Sequence, residues 1–196
     1  MTIILPRLPR GAGYGVRFVR NSEAQRSGTG GSLTPLNRAG DHFAIEVDPQ
    51  QLATCCGREL LADLARGTAE KLRAPIPEPG VEKGAPGEPR VKGAGQAGTS
   101  LLIDGFNPNY AVRKGWFFTL ETAAGSSAHL VTGTVVADAG SEATVSFWPE
   151  LWLEPGDNDV IVLIDPYIEG LIVDEGDQTS GRIAAVTTTA FVIEEG

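Results

Sequence analysis

The feature that most constrains the fold lies in the second half of the chain, where short apolar runs alternate with turn residues. Five such runs follow one another between residues 99 and 165: TSLLIDG, GWFFTLE, SAHLVTGTVVAD, EATVSFWP and DVIVLID. They are rich in β-branched and aromatic residues, and Gly, Pro, Asn and Asp punctuate them as turns would. No helical pattern separates them. The arrangement is typical of a small closed β-barrel such as an OB fold.

The first part of the chain has a different pattern, in which a strand-like segment is followed by one helix. Residues 41–48, DHFAIEVD, alternate between apolar and polar side chains, as a half-buried strand does. Asp48 is a good N-cap, and Pro49 is tolerated at a first helical position. An apolar stripe at helical spacing follows, and Gly67 is a suitable stop. The pattern predicts a helix over residues 49–66 that lies across a sheet.

Two hydrophilic breaks flank the β-rich segment. A proline-rich connector runs from Pro75 to Pro89, and DEGDQTSG, residues 174–181, precedes a last strand-like segment. A β module between two such breaks indicates one domain inserted into another. We therefore predict a mainly β fold: residues 1–86 and 177–196 form a split β-sandwich with one α-helix. This sandwich carries an inserted OB-like β-barrel of residues 87–176.

Composition excludes several classes of partner. The net charge of −9 argues against nucleic-acid binding and against an anionic membrane surface, because both require clustered Lys and Arg. No apolar run reaches the ~20 residues of a membrane-spanning helix. We also expect no signal peptide, since no small-residue cleavage site follows the first apolar stretch. The adjacent Cys55 and Cys56 are poorly placed to pair with each other, which is typical of a reduced protein.

The segment Gly93-Ala94-Gly95-Gln96-Ala97-Gly98 matches the G-x-G-x-x-G pattern of dinucleotide-binding turns. Such a turn needs a strand before its first glycine and a helix after its last, because the helix N-terminus binds the pyrophosphate. Here the residues that follow, TSLLIDGFNP, are strand-like and then broken by Gly and Pro. We therefore expect no cofactor, and interpret the glycines as a hinge at the entrance of the barrel.

The other candidates for chemistry are weak. The two histidines, His42 and His129, have no further metal ligand at a suitable spacing. Ser126 and Ser127 lie close to His129 in sequence, but no G-x-S-x-G elbow surrounds them. The sequence thus predicts neither a catalytic residue nor a metal site. We therefore expect that the protein is not an enzyme.

Three tryptophans, Trp116, Trp148 and Trp152, all lie in the second module. Two interpretations stay open for them. They supply the core of a small barrel, since each buries about 150–250 Å²; alternatively, they are candidate glycan contacts that stack on sugar rings.

The order of motifs along the chain resembles the distal tail proteins of long-tailed, non-contractile bacteriophages. The most specific part is GEPRVKGAGQAGTSLLIDGFNPNYAVRKGWFFTL. The flanking motifs are PLNRAGDHFAIEV before it, and ADAGSEATVSFWPEL, DPYIEGL and AFVIEE after it. The similarity touches most of residues 16 to 195.

The resemblance implies a structural virion protein with the split architecture described above. Six copies of such a protein form a ring, a homo-hexamer, that joins the tail tube protein to the baseplate hub protein at the virion tail tip, after assembly in the host cytoplasm. The inserted barrels point outward, towards other tail-tip proteins or host glycans, and there is no catalytic residue to transfer. Two alternatives stay open: a carbohydrate-binding module acting in host-surface attachment, and another virion role such as a tube protein.

Overall fold

The computed structural model of the chain describes residues 2–5, 12–21, 23–26, 28, 30–31, 33–36, 40–49, 51–174, 180–182, 185–187 and 190–196. Before the helix lie β1 (Ile3–Ile4), β2 (Gly13–Val19), β3 (Glu23–Arg26), β4 (Leu33–Leu36), β5 (His42–Asp48) and β6 (Gln51–Ala53). The helix α1 spans Thr54–Gly67. Then follow β7 (Leu72–Pro75), β8 (Gly87–Val91), β9 (Ser100–Phe106), β10 (Ala111–Val112), β11 (Phe117–Thr122), β12 (Gly125–Val131) and β13 (Val135–Val136). The last strands are β14 (Ala143–Trp148), β15 (Val160–Val162), β16 (Tyr167–Asp174), β17 (Ser180–Arg182), β18 (Ala185–Thr187) and β19 (Phe191–Glu195).

Six strands form a large sheet in the order β1-β7-β16-β19-β5-β2. Neighbouring strands are antiparallel except for β1 and β7. The alternation in DHFAIEVD places Phe43, Ile45 and Val47 on one face, where all three are fully buried. Leu60 and Leu64 of α1 belong to the same core. We call this covered side the inner face of the large sheet.

Six other strands close into an antiparallel barrel in the order β11-β12-β14-β9-β8-β15, with β15 pairing back to β11. Its interior is a second apolar cluster that includes Leu101, Phe118 and Phe147. The small sheets β3-β4, β10-β13 and β17-β18-β6 complete the described part of the chain. The predicted fold class is confirmed: the protein is mainly β, with one helix in its described part and a barrel in addition to the sheets.

The barrel is inserted between two neighbouring strands of the large sheet. β7 precedes the barrel strands and β16 follows them, and the two pair directly, with Tyr167 opposite Pro75. The barrel was predicted to span residues 87–176, which include Tyr167–Asp174. In the structure this segment is a strand of the large sheet. That segment pairs with β7 and β19, and its Ile168 and Ile172 side chains pack on the inner face of the large sheet. The chain therefore leaves the barrel at residues 163–166, before the hydrophilic break.

The helix starts at Thr54 and not at Pro49, so the predicted start of the helix over residues 49–66 is wrong. Residues 51–53 pair instead with β18. The local capping signal of Asp48 and Pro49 is therefore overridden by strand pairing with a distant segment. The helix ends at Gly67, as expected. A Cβ there would lie 2.3 Å from Cδ1 of the buried Leu72, so a larger residue would have to displace that side chain.

The glycine run does not lie at the entrance of the barrel, and the predicted hinge is wrong. Residues 93–98 connect β8 to β9, two strands of the barrel itself. The Gln96 side chain organises this loop, since it donates to the Lys92 carbonyl at 2.9 Å and accepts from the Leu102 N–H at 2.7 Å. The Gly93 N–H donates to the Asp157 carboxylate at 2.8 Å. Gly93, Gly95 and Gly98 all have φ between 74° and 88°, the conformation that glycine allows.

Candidate functional site at the barrel–sheet junction

The barrel lies against the inner face of the large sheet, and this junction is the candidate functional site. The outer sides of β11, β12 and β14 supply the contact. Phe117, Ala128, Leu130 and Trp148 from these strands pack into the core cluster of the large sheet. The two apolar cores are thus separate, but the barrel helps to cover the first one.

Four aromatic rings meet at the junction, with Phe18 at its exposed edge. Trp148 lies edge-on to Phe43, with ring centroids 5.2 Å apart, and to Phe18 at 5.3 Å. Phe117 lies edge-on to Phe43 at 5.4 Å. Edge-to-face pairs of this kind add about 0.5–1.5 kcal/mol each beyond the area they bury. The aromatic cluster therefore fixes the barrel against strands β2 and β5.

A carboxylate bridges the two parts beside this cluster. Glu195 is 5% exposed, and its Oε1 accepts a hydrogen bond from the Ala128 N–H of the barrel at 2.6 Å. Its Oε2 accepts from the Phe43 N–H of the sheet at 3.3 Å. Burial raises the pKa of Glu195 to about 7, although the two backbone hydrogen bonds and the charges of His42 and Lys71 act in the opposite direction.

A second polar contact joins the barrel to the strand that follows it. The buried Thr119 hydroxyl donates to the Tyr167 carbonyl at 2.7 Å and accepts from the Tyr167 N–H at 2.8 Å. The Tyr167 hydroxyl donates to Glu121, and burial together with this carboxylate raises the pKa of Tyr167. The Arg73 guanidinium lies 3.9 Å from the centre of the Tyr167 ring and pairs with Glu169 at 2.7 Å.

The connector between β7 and the barrel is anchored by a buried ion pair. The Lys83 and Glu78 side chains are 6% and 10% exposed and bond to each other. The Lys83 ammonium also donates to the carbonyls of Phe117 and Leu163, each at 2.8 Å. The other oxygen of Glu78 accepts from the Phe117 N–H at 2.9 Å. Burial lowers the pKa of Lys83, although Glu78 favours its charged form.

The Ser127–His129 pair lies inside the barrel. The Ser127 hydroxyl and His129 Nε2 are 2.9 Å apart, and His129 Nδ1 lies 3.0 Å from the Pro149 carbonyl. Neither residue is exposed to solvent. Burial lowers the pKa of His129 to about 4, so the ring is neutral at physiological pH. With both ring nitrogens engaged in an enclosed position, the pair organises the barrel interior around Phe118 and Phe147.

The structure does not bring the three candidate glycan contacts onto one surface. Trp116 lies in the barrel core beside Tyr110, and Trp148 lies in the junction. Trp152 is 38% exposed and lines a cleft of about 200 Å³ between the barrel and the sheet. The core interpretation therefore fits Trp116 and Trp148, while a glycan contact at Trp152 stays a prediction.

The polar groups of this cleft already have partners. His42 Nε2 lies 2.8 Å from Glu194 Oε1, and His42 Nδ1 lies 2.8 Å from the Gly40 carbonyl. Burial lowers the pKa of His42, but the Gly40 carbonyl and Glu194 together raise it above its ordinary value. Asp41 accepts from the Asn21 N–H at 2.8 Å. The cleft therefore offers an aromatic ring more readily than free hydrogen-bonding groups.

The opposite face of the large sheet carries exposed apolar side chains. Ile4 on β1 and Leu171 and Val173 on β16 are all exposed. Ile172, between the last two, packs against the core, so Leu171 and Val173 point away from it. We call this side the outer face of the large sheet.

Within the described ranges, no group of three or more His, Cys, Asp and Glu side chains is arranged to hold a metal ion. None of the helical structure in the described part of the chain is long and apolar enough to cross a membrane. No protein-family model matches the chain, and no curated protein is significantly similar to it.

Sequence reasoning missed the polar residues of the junction, although one signal was present. In FVIEE the alternation of Phe191, Ile193 and Glu195 places a carboxylate on the buried face of a strand. A charge at such a position marks a group with specific partners. Lys83 and Thr119 had no comparable signal. Their main-chain partners lie in distant segments, although Lys83 also pairs with the nearby Glu78 side chain.

Proposed function

We propose that this chain is a structural virion protein: a distal tail protein whose copies form a ring joining the tail tube to the baseplate hub at the virion tail tip. The proposal rests on the order of motifs along the chain, together with the insertion of a closed barrel between two neighbouring strands of a sheet. That split architecture is the one the resemblance implies, and it is the single observation that carries the proposal.

The junction and the anchored connector support this role. A ring subunit must hold two different surfaces at a fixed angle, because a head-to-tail contact closes only if each copy is rotated by the same amount. The aromatic cluster and Glu195 hold the barrel on the inner face of the large sheet, and Lys83 attaches the connector to the barrel. The outer face is left with exposed Ile4 and Leu171, which suit a contact with another protein.

The test is the mass of the particle formed by the purified chain, alone and with tail tubes, measured by native mass spectrometry and electron microscopy. We expect a six-membered ring, stabilised by the tube. Leu171→Glu should reduce ring formation because it adds a charge to the outer face. Val136→Glu, an equally drastic change at an exposed position of the small β10-β13 sheet, should not. A chain that stays monomeric and never associates with tubes would reject the proposal.

One observation favours a second candidate function, a carbohydrate-binding module. Trp152 presents part of its ring beside a cleft of about 200 Å³, and sugars stack on such rings. A glycan array probed with the full chain tests it. A binding glycan should change tryptophan fluorescence on titration, and an array with no binding glycan would reject this candidate.

A further inference from the structure

We infer that the Glu195 carboxyl is a proton-controlled latch between the large sheet and the barrel: the barrel docks more tightly when this carboxyl is protonated and less tightly when it is ionised. The inference concerns the chain itself and does not depend on ring formation.

The position of the carboxyl is unusual because its two oxygens contact different parts of the molecule. Oε1 accepts from Ala128 on the barrel, and Oε2 accepts from Phe43 on the sheet. Separating the barrel from the sheet must therefore break at least one of these bonds and expose the carboxyl to water. Gly170, opposite Glu195 on β16, has no side chain, and a Cβ there would lie 1.8 Å from the Glu194 carbonyl oxygen.

The cations near Glu195 come from the sheet side. His42 at the start of β5 and Lys71 before β7 both favour the ionised carboxylate, but less strongly than burial disfavours it. Each has another partner as well, since His42 pairs with Glu194 and Lys71 donates to the Gly196 carbonyl. The sheet therefore does not neutralise Glu195 fully.

The barrel side adds no cation among its described residues that contact this carboxyl. Strand β12 directs Ala128 and Leu130 towards the sheet, and neither titrates. His129 on the same strand has its ring inside the barrel and is neutral above a pKa of about 4. On β11, Glu121 accepts from Tyr167, and on β16, Glu169 pairs with Arg73. These two carboxylates have partners of their own, and neither strand supplies Glu195 with a cation.

The sign of the effect follows from the pKa of Glu195, which burial raises from 4.5 to about 7. In the docked state the carboxyl keeps its proton over this window, whereas an exposed carboxyl releases it near pH 4.5. Protons are therefore lost on undocking, so docking is strongest below pH 4.5 and weakens as the pH rises to 7. The docking constant falls about tenfold per pH unit across the window, by up to ~300-fold in total if undocking exposes the carboxyl fully.

Amide hydrogen exchange of Ala128 and Phe43 tests the latch, with rates corrected for the intrinsic pH dependence of exchange. Between pH 5 and 8 we expect the protection of both amides to fall by as much as ~100-fold, while the barrel-core amide of Leu101 changes much less. Glu195→Gln should remove the pH dependence. The control Glu194→Gln changes the neighbouring carboxylate and should retain it.

Protection that is independent of pH in the wild-type chain would overturn the inference. So would an unchanged pH dependence in Glu195→Gln. If that variant does not fold, the carboxyl carbon of Glu195 can be titrated by NMR in the wild-type protein. A midpoint near pH 7 is expected, and a midpoint near 4.5 would refute the latch.

Discussion

Replacing Lys83 by methionine should destabilise the whole protein, because it leaves the Glu78 carboxylate buried without its cation. Methionine retains the length and apolar character of the lysine stem, so the change isolates the ammonium group. Three acceptors lose their donor: Glu78 and the carbonyls of Phe117 and Leu163. Breaking one side of a buried ion pair typically costs about 3–5 kcal/mol.

The same reasoning predicts that the pair as a whole contributes less than this loss suggests. Burial lowers the pKa of Lys83 even with Glu78 beside it, so desolvation outweighs the attraction between the two charges. The double variant Lys83→Met/Glu78→Gln removes both charges, and its glutamine carbonyl still accepts from the Phe117 N–H. It should therefore be more stable than Lys83→Met alone by about 1–3 kcal/mol.

Urea unfolding followed by tryptophan fluorescence gives the free energies, and calorimetry gives the melting temperatures. Lys83→Met should lower Tm by roughly 6–20 °C, since a chain of this size shifts by about 2–4 °C per kcal/mol. Lys114→Met removes an exposed lysine and should change the stability by less than about 0.5 kcal/mol. The reasoning fails if Lys83→Met resembles this control, or if the double variant is no more stable than the single one.

Two further changes test the junction and the barrel. Thr119→Val leaves the buried Tyr167 N–H and carbonyl without their hydroxyl partner. It should lower the free energy of unfolding, measured in urea, by about 1–3 kcal/mol. Thr119→Ser retains the hydroxyl, and its stability should be closer to that of the wild type. Gly105→Ala places a Cβ 2.2 Å from the Glu88 carbonyl oxygen at a φ of 76°, so the barrel should unfold at clearly lower urea concentration. Gly115→Ala, at a φ of 91° with no atom within 4 Å, should cost only about 1–2 kcal/mol. Equal losses for the two glycines would show that the contact with Glu88 has no effect.

The elements that sequence reasoning predicted correctly are those whose signals are local. Alternation in residues 41–48 and in the runs after residue 99 indicates strands, since the side-chain period of a strand is two. The start of the helix was predicted wrongly because residues 51–53 pair with residues 185–187, which a local capping pattern cannot show. The same limit applies to Tyr167–Asp174, whose place in the large sheet depends on β7 and β19.

The polar contacts of the candidate site were harder to predict than the fold because many of their partners are main-chain atoms. Ala128 and Phe43 contribute only their N–H groups to Glu195, and side-chain identity at those positions carries no trace of that role. The exposed Trp152 and the buried Trp116 look alike in sequence, since both lie next to apolar residues in the β-rich segment. Only the closure of the barrel separates them.

The way the barrel is inserted determines what loosening of the junction would do. β7 and β16 pair directly, so the two connections to the barrel leave the sheet from neighbouring strands, about 4.8 Å apart. Undocking is therefore an intramolecular step. The barrel groups of the junction stay close to their partners on the sheet, at a high effective concentration. An ionised Glu195 would accordingly loosen the junction without releasing the barrel, because both connections stay attached to neighbouring strands of the sheet.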